Sequence, residues 1–144
     1  MSTALGSVFI VSGLLEIFIP IAVGFYIIRR FGTSWRNWFS GALMFIVSLV
    51  RLPLNLYATQ LILDGTHTPL TPSLIVLVPS LTAGIFEEAA RYIGFKLLIK
   101  DDTYEKGLTY GAGHGGIESI MLVGLSVLSV GVILLTNPEM LPPE

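Results

Sequence analysis

Cysteine is absent from the 144 residues, and charge is scarce: Asp, Glu, Lys and Arg together make up 12% of the chain. The first absence excludes disulfides, a thiolate metal site and a cysteine nucleophile, and leaves the redox compartment undetermined. The second sets the chain apart from soluble domains, in which roughly 25% of residues are charged. With 53% hydrophobic residues and a mean hydropathy of +0.78, lipid is the expected main solvent. A formal net charge of −2 offers no basic patch, so no nucleic-acid partner is expected. The N-terminus also lacks a basic stretch. Its apolar segment runs on for about 25 residues into Arg29-Arg30, too long for a signal peptide, and reads as a membrane anchor.

A transmembrane helix needs about 20 mostly apolar residues. Four segments qualify: residues 4–28, 38–63, 72–98 and 108–135. The expected fold is therefore all-α, a single polytopic membrane bundle of four transmembrane helices, with membrane lipids as constant partners. The first loop carries Arg29, Arg30 and Arg36. The second, 64–69, has no Lys or Arg. The third carries Lys96, Lys100 and Lys106 among Asp101, Asp102 and Glu105, and the tail holds Glu139 and Glu144. By the positive-inside rule both termini face out, and the first and third loops face the cytoplasm, in a bacterial or archaeal plasma membrane. Trp35, Trp38 and Phe39 suit an interfacial belt.

Ionisable groups within apolar spans are costly and mark partners or function. In the first segment Pro20 reads as a tolerated kink. Glu16 reads as a proton-carrying or binding carboxylate, or, preferably, as an acid hydrogen-bonded to a neighbouring helix. In the second segment Arg51 and Asn55 are four apart and share a face. An arginine at this depth needs an anion, and Glu16, Glu87, Glu88 and Glu118 are the candidates. It serves either as an interhelical clamp or as the positive charge of a functional cluster. In the third segment Arg91 follows Glu87 by four and Glu88 by three, so either carboxylate reaches it. One glutamate neutralises Arg91, and the other is left to act as a general base or acid. A purely structural clamp is the alternative, although a clamp needs only one glutamate.

The fourth segment opens with Gly107, Gly111 and Gly115, spaced by four, and with Gly113 and Gly116. Such spacing admits close helix approach, so Gly111→Leu is expected to disrupt folding. Tyr110, His114 and Glu118 follow at the same interval on one face. His114 could instead be a buried imidazole bonded to a carbonyl. At 1.5 Å of rise per residue, Glu88 and Glu118 each lie about 4 Å, and His114 about 10 Å, to the cytoplasmic side of their segment midpoints. The third and fourth segments run antiparallel. Side by side, they would bring Glu87, Glu88, Arg91, His114 and Glu118 into one layer, reached by a water cavity from the cytoplasm.

Phe86-Glu87-Glu88-Ala89-Ala90-Arg91-Tyr92 and Tyr110-Gly111-Ala112-Gly113-His114-Gly115-Gly116-Ile117-Glu118 resemble the polar motifs of the YhfC family of intramembrane proteases. That family is related to the larger group that includes the CAAX prenyl endopeptidases. In the broader pattern a Glu-Glu pair is followed by Arg, and an aromatic residue stands four before a His. Tyr110 and His114 match, while Arg91 is one residue closer to the glutamates than in that pattern. The family is usually longer, with further membrane helices and a third polar motif. This chain ends after four segments at Pro142-Pro143-Glu144, and its other histidine, His67, falls in the opposite loop. The resemblance thus implies a fragment, a short relative, or half of a homo-oligomeric site.

The resemblance implies hydrolysis of a peptide bond in a membrane-protein or peptide substrate. Glu87 or Glu88 would take a proton from water, His114 would position that water or act as acid, and Arg91 would orient a carboxylate. A catalytic zinc takes three protein ligands and an open position. His114, Glu118 and one of the paired glutamates, Glu88 for preference, would supply the ligands. A metal-free glutamate–histidine mechanism fits the same residues. Two other classes stay open, a non-catalytic membrane scaffold and a small proton-coupled transporter. The transporter predicts an internal repeat, and Arg51-Leu52-Pro53 has no counterpart after Glu118.

Overall fold

A computed structural model describes residues 2–65, 68–100 and 103–137. His67, Asp101, Asp102, Glu139 and the Pro142-Pro143-Glu144 end lie outside the described residues. The fold is all-helical: α1 (Ser2–Phe31), α2 (Trp35–Ser48), α3 (Arg51–Gly65), α4 (Thr71–Leu98), α5 (Tyr104–Glu118), a π-helical turn (Ser119–Gly124) and α6 (Leu125–Thr136). Four spans are long and apolar enough to cross a membrane: Ala4–Phe31, Trp35–Gly65, Thr71–Leu98 and Tyr104–Thr136. Leu, Ile, Val and Phe side chains cover the outside, as expected of an integral multi-pass membrane protein that turns apolar groups toward lipid.

The second span is broken where sequence patterning gives one continuous helix. Pro53 supplies no N–H, and its ring clashes with the carbonyl four residues back. The chain answers with three short i−3 bonds, from Leu49 N–H to Ile46 O, Val50 N–H to Val47 O and Leu52 N–H to Leu49 O. Then α3 starts at Arg51 with Pro53 in its first turn. The fourth span is interrupted too, by the π-helical turn that follows Glu118 directly.

Packing follows the small residues. One face of α2, formed by Trp38, Gly41, Ala42, Phe45 and Ser48, is buried. It lies against Thr109, Tyr110, Gly113, His114 and Gly116 of α5. A Cβ on Gly41 would overlap the Tyr110 carbonyl, and one on Gly113 would overlap the Trp38 carbonyl. Helix α1 crosses α6 in the same manner. Gly6 and Gly13 on one side meet Gly131 and the Leu128 backbone on the other, and Gly124 accepts Ile17. Pro20 stays within the continuous α1 and rests near Gly116. Helix α4 packs on α2 and α3, and meets α5 directly only over a short stretch. The third and fourth spans therefore do not lie side by side along their length; α2 is the shared neighbour of both.

Polar bonds pin the remaining joints. Thr33 and Thr109 share a hydroxyl bond of 2.7 Å. Thr82 donates to Asn55 at 2.6 Å, tying α4 to α3. Ser119 donates to Glu16 at 2.5 Å, which is the bond to a neighbouring helix expected for Glu16.

The glycine row spaced by four needs correction. Gly111 and Gly115 have no atoms within 4 Å of a built Cβ, and Gly107 meets only Phe95 at 3.8 Å. Close approach is made by the other row, Gly113 and Gly116, because residues two apart on a helix point about 200° apart. Gly111→Leu therefore meets open space and does not disrupt the packing as expected from the spacing. Instead, Gly113→Ala should lower stability in detergent by about 1–3 kcal/mol or more through overpacking. Gly111→Ala should be neutral or stabilising by up to about 1 kcal/mol from helix propensity. Equal thermal midpoints for the two variants would contradict the described α2–α5 contact.

Candidate functional site

Glu87 on α4 and His114 and Glu118 on α5 each turn a ligand atom to a common point, and these atoms lie within 4.8 Å of one another. Three local features bring them there. His114 and Glu118, one turn apart, share the α5 face that carries Tyr110. The contacts of Gly41 with the Tyr110 carbonyl and of Gly113 with the Trp38 carbonyl draw that face against α2. Glu87 is drawn inward by Arg51, whose Nη2 donates to its Oε1 at 2.6 Å. The Arg51 and Glu87 side chains are 9% and 18% exposed. This is the ion pair that an arginine at membrane depth requires, and Glu87 is the anion among the four candidates.

The two glutamates separate. Successive helical residues point about 100° apart, so only one can face the bundle interior. Glu87 does. Glu88 turns to open surface, with its side chain 71% exposed, and pairs with Arg91 one turn along. The expected third ligand, Glu88, is therefore replaced by Glu87, and Arg91 neutralises Glu88 alone. Arg91 also lends its backbone carbonyl, which accepts from the Tyr110 hydroxyl at 3.0 Å.

His114 is 1% exposed. Its ring stands edge-on to Phe45, with centroids 5.5 Å apart. The Gly41 backbone is beside it, yet neither Nδ1 nor Nε2 completes a well-aligned hydrogen bond. The Gly41 backbone is thus the polar neighbour that a carbonyl-bonded imidazole would use, although the bond is not well aligned. A groove of about 360 Å³ opens nearby between α4 and α5, lined by residues that include Glu88, Arg91, Phe95, Gly107 and Tyr110. Its lining on α5 ends at Tyr110 and Gly111, one turn short of His114. The cluster is open on its carboxylate side, where Glu87 and Glu118 are partly exposed, and closed on its imidazole side.

The family described as YhfC intramembrane metalloprotease matches residues 15–140. The chain belongs to the YhfC family. A curated relative from Bacillus subtilis (strain 168), described as the uncharacterized membrane protein YhfC, is 34% identical over 122 residues. The alignment covers 83% of this chain and 47% of the relative, so the chain spans about half the length of the curated relative it matches. No solved structure matches.

The family's description implies a metal, and the donor set of this YhfC chain fits a divalent cation. Ligands about 2.0–2.1 Å from a tetrahedral zinc stand about 3.3 Å apart, so donors within 4.8 Å need only close in modestly. His114 has no well-aligned partner on either ring nitrogen, and Arg51 occupies one oxygen of Glu87 in the manner of the outer partners that orient metal ligands. Imidazole suits zinc or iron and carboxylates suit harder ions, so one histidine with two carboxylates does not select zinc.

The sequence marks Arg51 as a clamp or as the cluster's positive charge, but not which anion it takes. Its signal was depth: a basic residue within an apolar span, with a proline two positions on. Gly41 gave no signal, because its role is to let another helix in. If the three donors form a metal site, Glu118→Gln and His114→Ala should weaken divalent-cation binding by about 100-fold or more, at or beyond the losses seen for outer partners. Glu88→Gln should leave binding intact. Titration of the chelator-treated protein with zinc and manganese checks this, and a Glu88→Gln loss equal to the other two would overturn the assignment.

Proposed function

We propose that this chain is the hydrolytic part of an intramembrane endopeptidase, acting on peptide bonds of membrane-embedded proteins or peptides. The observation that carries the reading is the convergence of Glu87, His114 and Glu118 donor atoms within 4.8 Å in a chain of the YhfC family. Two acids and an imidazole, partly dry and on different helices, form a set suited to moving a proton from water to a leaving amine. Glu87 accepts the proton of the attacking water while Arg51 fixes its orientation. The water oxygen bonds to the carbonyl carbon. The C–N bond then breaks, and the proton passes to the departing nitrogen. His114 holds the water in line. The acids act as a coupled set rather than with one fixed role each. A divalent cation held by Glu87, His114 and Glu118 would, when bound, polarise the carbonyl and raise the acidity of water.

A non-catalytic membrane-binding relative is the second reading, and the burial of His114 at 1% exposure favours it. Cleavage by the purified protein separates the two. With labelled casein in detergent and a transmembrane reporter in proteoliposomes, His114→Ala and Glu87→Gln should each lower turnover by about 100-fold or more. Both variants should also lower the thermal midpoint, since one strips Arg51 of its anion and the other empties a buried position, so turnover is compared on the folded fraction, and Glu88→Gln should stay close to wild type. Wild-type turnover no higher than that of His114→Ala leaves the binding relative as the reading.

A further inference from the structure

Arg51 is the second charged side chain at the heart of this bundle, and only part of it is used. Its Nη2 is held by Glu87. Its Nε and Nη1 are buried and have no hydrogen-bond partner among the described residues. The residue as a whole is 8% exposed. A buried charged donor without a partner is costly, and arginine cannot shed its charge to escape that cost. The guanidinium is planar and rigid, so fixing Nη2 on Glu87 also fixes where the two free donors point.

Its setting adds to this. Arg51 is the first residue of α3, just after the Leu49–Val50 break, so its backbone stands at the positive end of that helix dipole. Broken backbone at membrane depth is tolerated where protein or a cavity covers it. Through Glu87 the fork sits one residue away from His114 and Glu118. Hydrolysis needs both a group that activates water and donors near the carbonyl oxygen on which negative charge develops. Glu87 meets the first need, and no residue assigned so far meets the second.

We propose that Arg51 is that donor: its free Nε and Nη1 hold the carbonyl oxygen of the scissile peptide and stabilise the oxyanion formed when water adds. This rests on the hydrolytic reading above. In the step, the water oxygen bonds to carbon and the C=O π pair moves onto oxygen, where the fork receives it. The pair returns as the C–N bond breaks, and the proton taken by Glu87 leaves with the amine. No redox change occurs. The fork recognises an oxygen anion on a tetrahedral centre, a chemistry that a phosphinic peptide reproduces without being cleaved.

The test uses Arg51→Lys, which keeps a positive charge for Glu87 but loses the planar fork. With labelled casein, kcat should fall about 100-fold, the scale of losing an oxyanion donor. KM should stay within about threefold, since ground-state binding is shared with other contacts. A phosphinic peptide should bind wild type about 100-fold more tightly than Arg51→Lys at matched cation content. A purely structural Arg51 would move the thermal midpoint and leave the kcat-to-KM split and the phosphinate ratio unchanged, which overturns the proposal. Should Arg51→Lys fail to fold, the wild-type protein decides alone. Its solvent-protected arginine Nε–H resonance should shift when the phosphinic peptide is added, and an unmoved resonance overturns the proposal. If wild type binds the phosphinate through Arg51 yet cleaves nothing, the oxygen-anion site stands and the endopeptidase reading falls.

Discussion

The backbone-to-backbone contact of α2 with α5 is the constraint on which the site depends. Gly41 and Gly113 let the Tyr110 and Trp38 carbonyls approach to a separation that no side chain allows. In lipid there is no hydrophobic gain from joining two apolar helices, so dispersion and close approach must hold them. That contact seals His114 against Phe45 and turns the Tyr110–His114–Glu118 face inward. It also makes α2 the wall on which α4 leans. Without it, the imidazole would have no fixed position relative to the carboxylate of α4.

The Arg51–Glu87 pair is the second joint, and it ties structure to chemistry. Burying two charges gains little net stability, but removing one partner of such a pair costs about 3–5 kcal/mol. The pair holds Glu87 on the inner side of α4, while Glu88 is left to Arg91 at the surface. Its position follows from Pro53. By breaking the second span, the proline lets α3 begin at Arg51, and the side chain is delivered from a helix end rather than from mid-helix. Two interruptions thus flank the cluster, the break before Arg51 and the π-helical turn after Glu118. Irregular helix is frequent at functional sites.

Much of this was legible from particular residues. Apolar runs bounded by Arg29-Arg30, by the 64–69 loop and by Lys100 marked four spans, because a bilayer demands about 20 apolar residues in each. The intervals of four among Tyr110, His114 and Glu118 marked one helix face. Glu16 was correctly read as bonded to a neighbouring helix, and Arg51 as needing an anion. Where the reading failed, it failed on rotation and neighbours. Both glycine rows of the fourth span were expected to admit a neighbour, and only Gly113 and Gly116 do so closely, while Gly111 and Gly115 are open. The third and fourth spans were expected to lie side by side, and α2 is their common neighbour.

Composition and spacing alone determined that this chain is a helical membrane protein carrying acids, an arginine and a histidine at similar depth, since those properties depend on transfer energies and on the helical repeat. Which glutamate enters the cluster, which anion Arg51 takes and which glycines touch another helix were decided only in the tertiary structure. These depend on how each helix is rotated about its axis. That rotation is set jointly by all the helices packed against it, so no single segment encodes it.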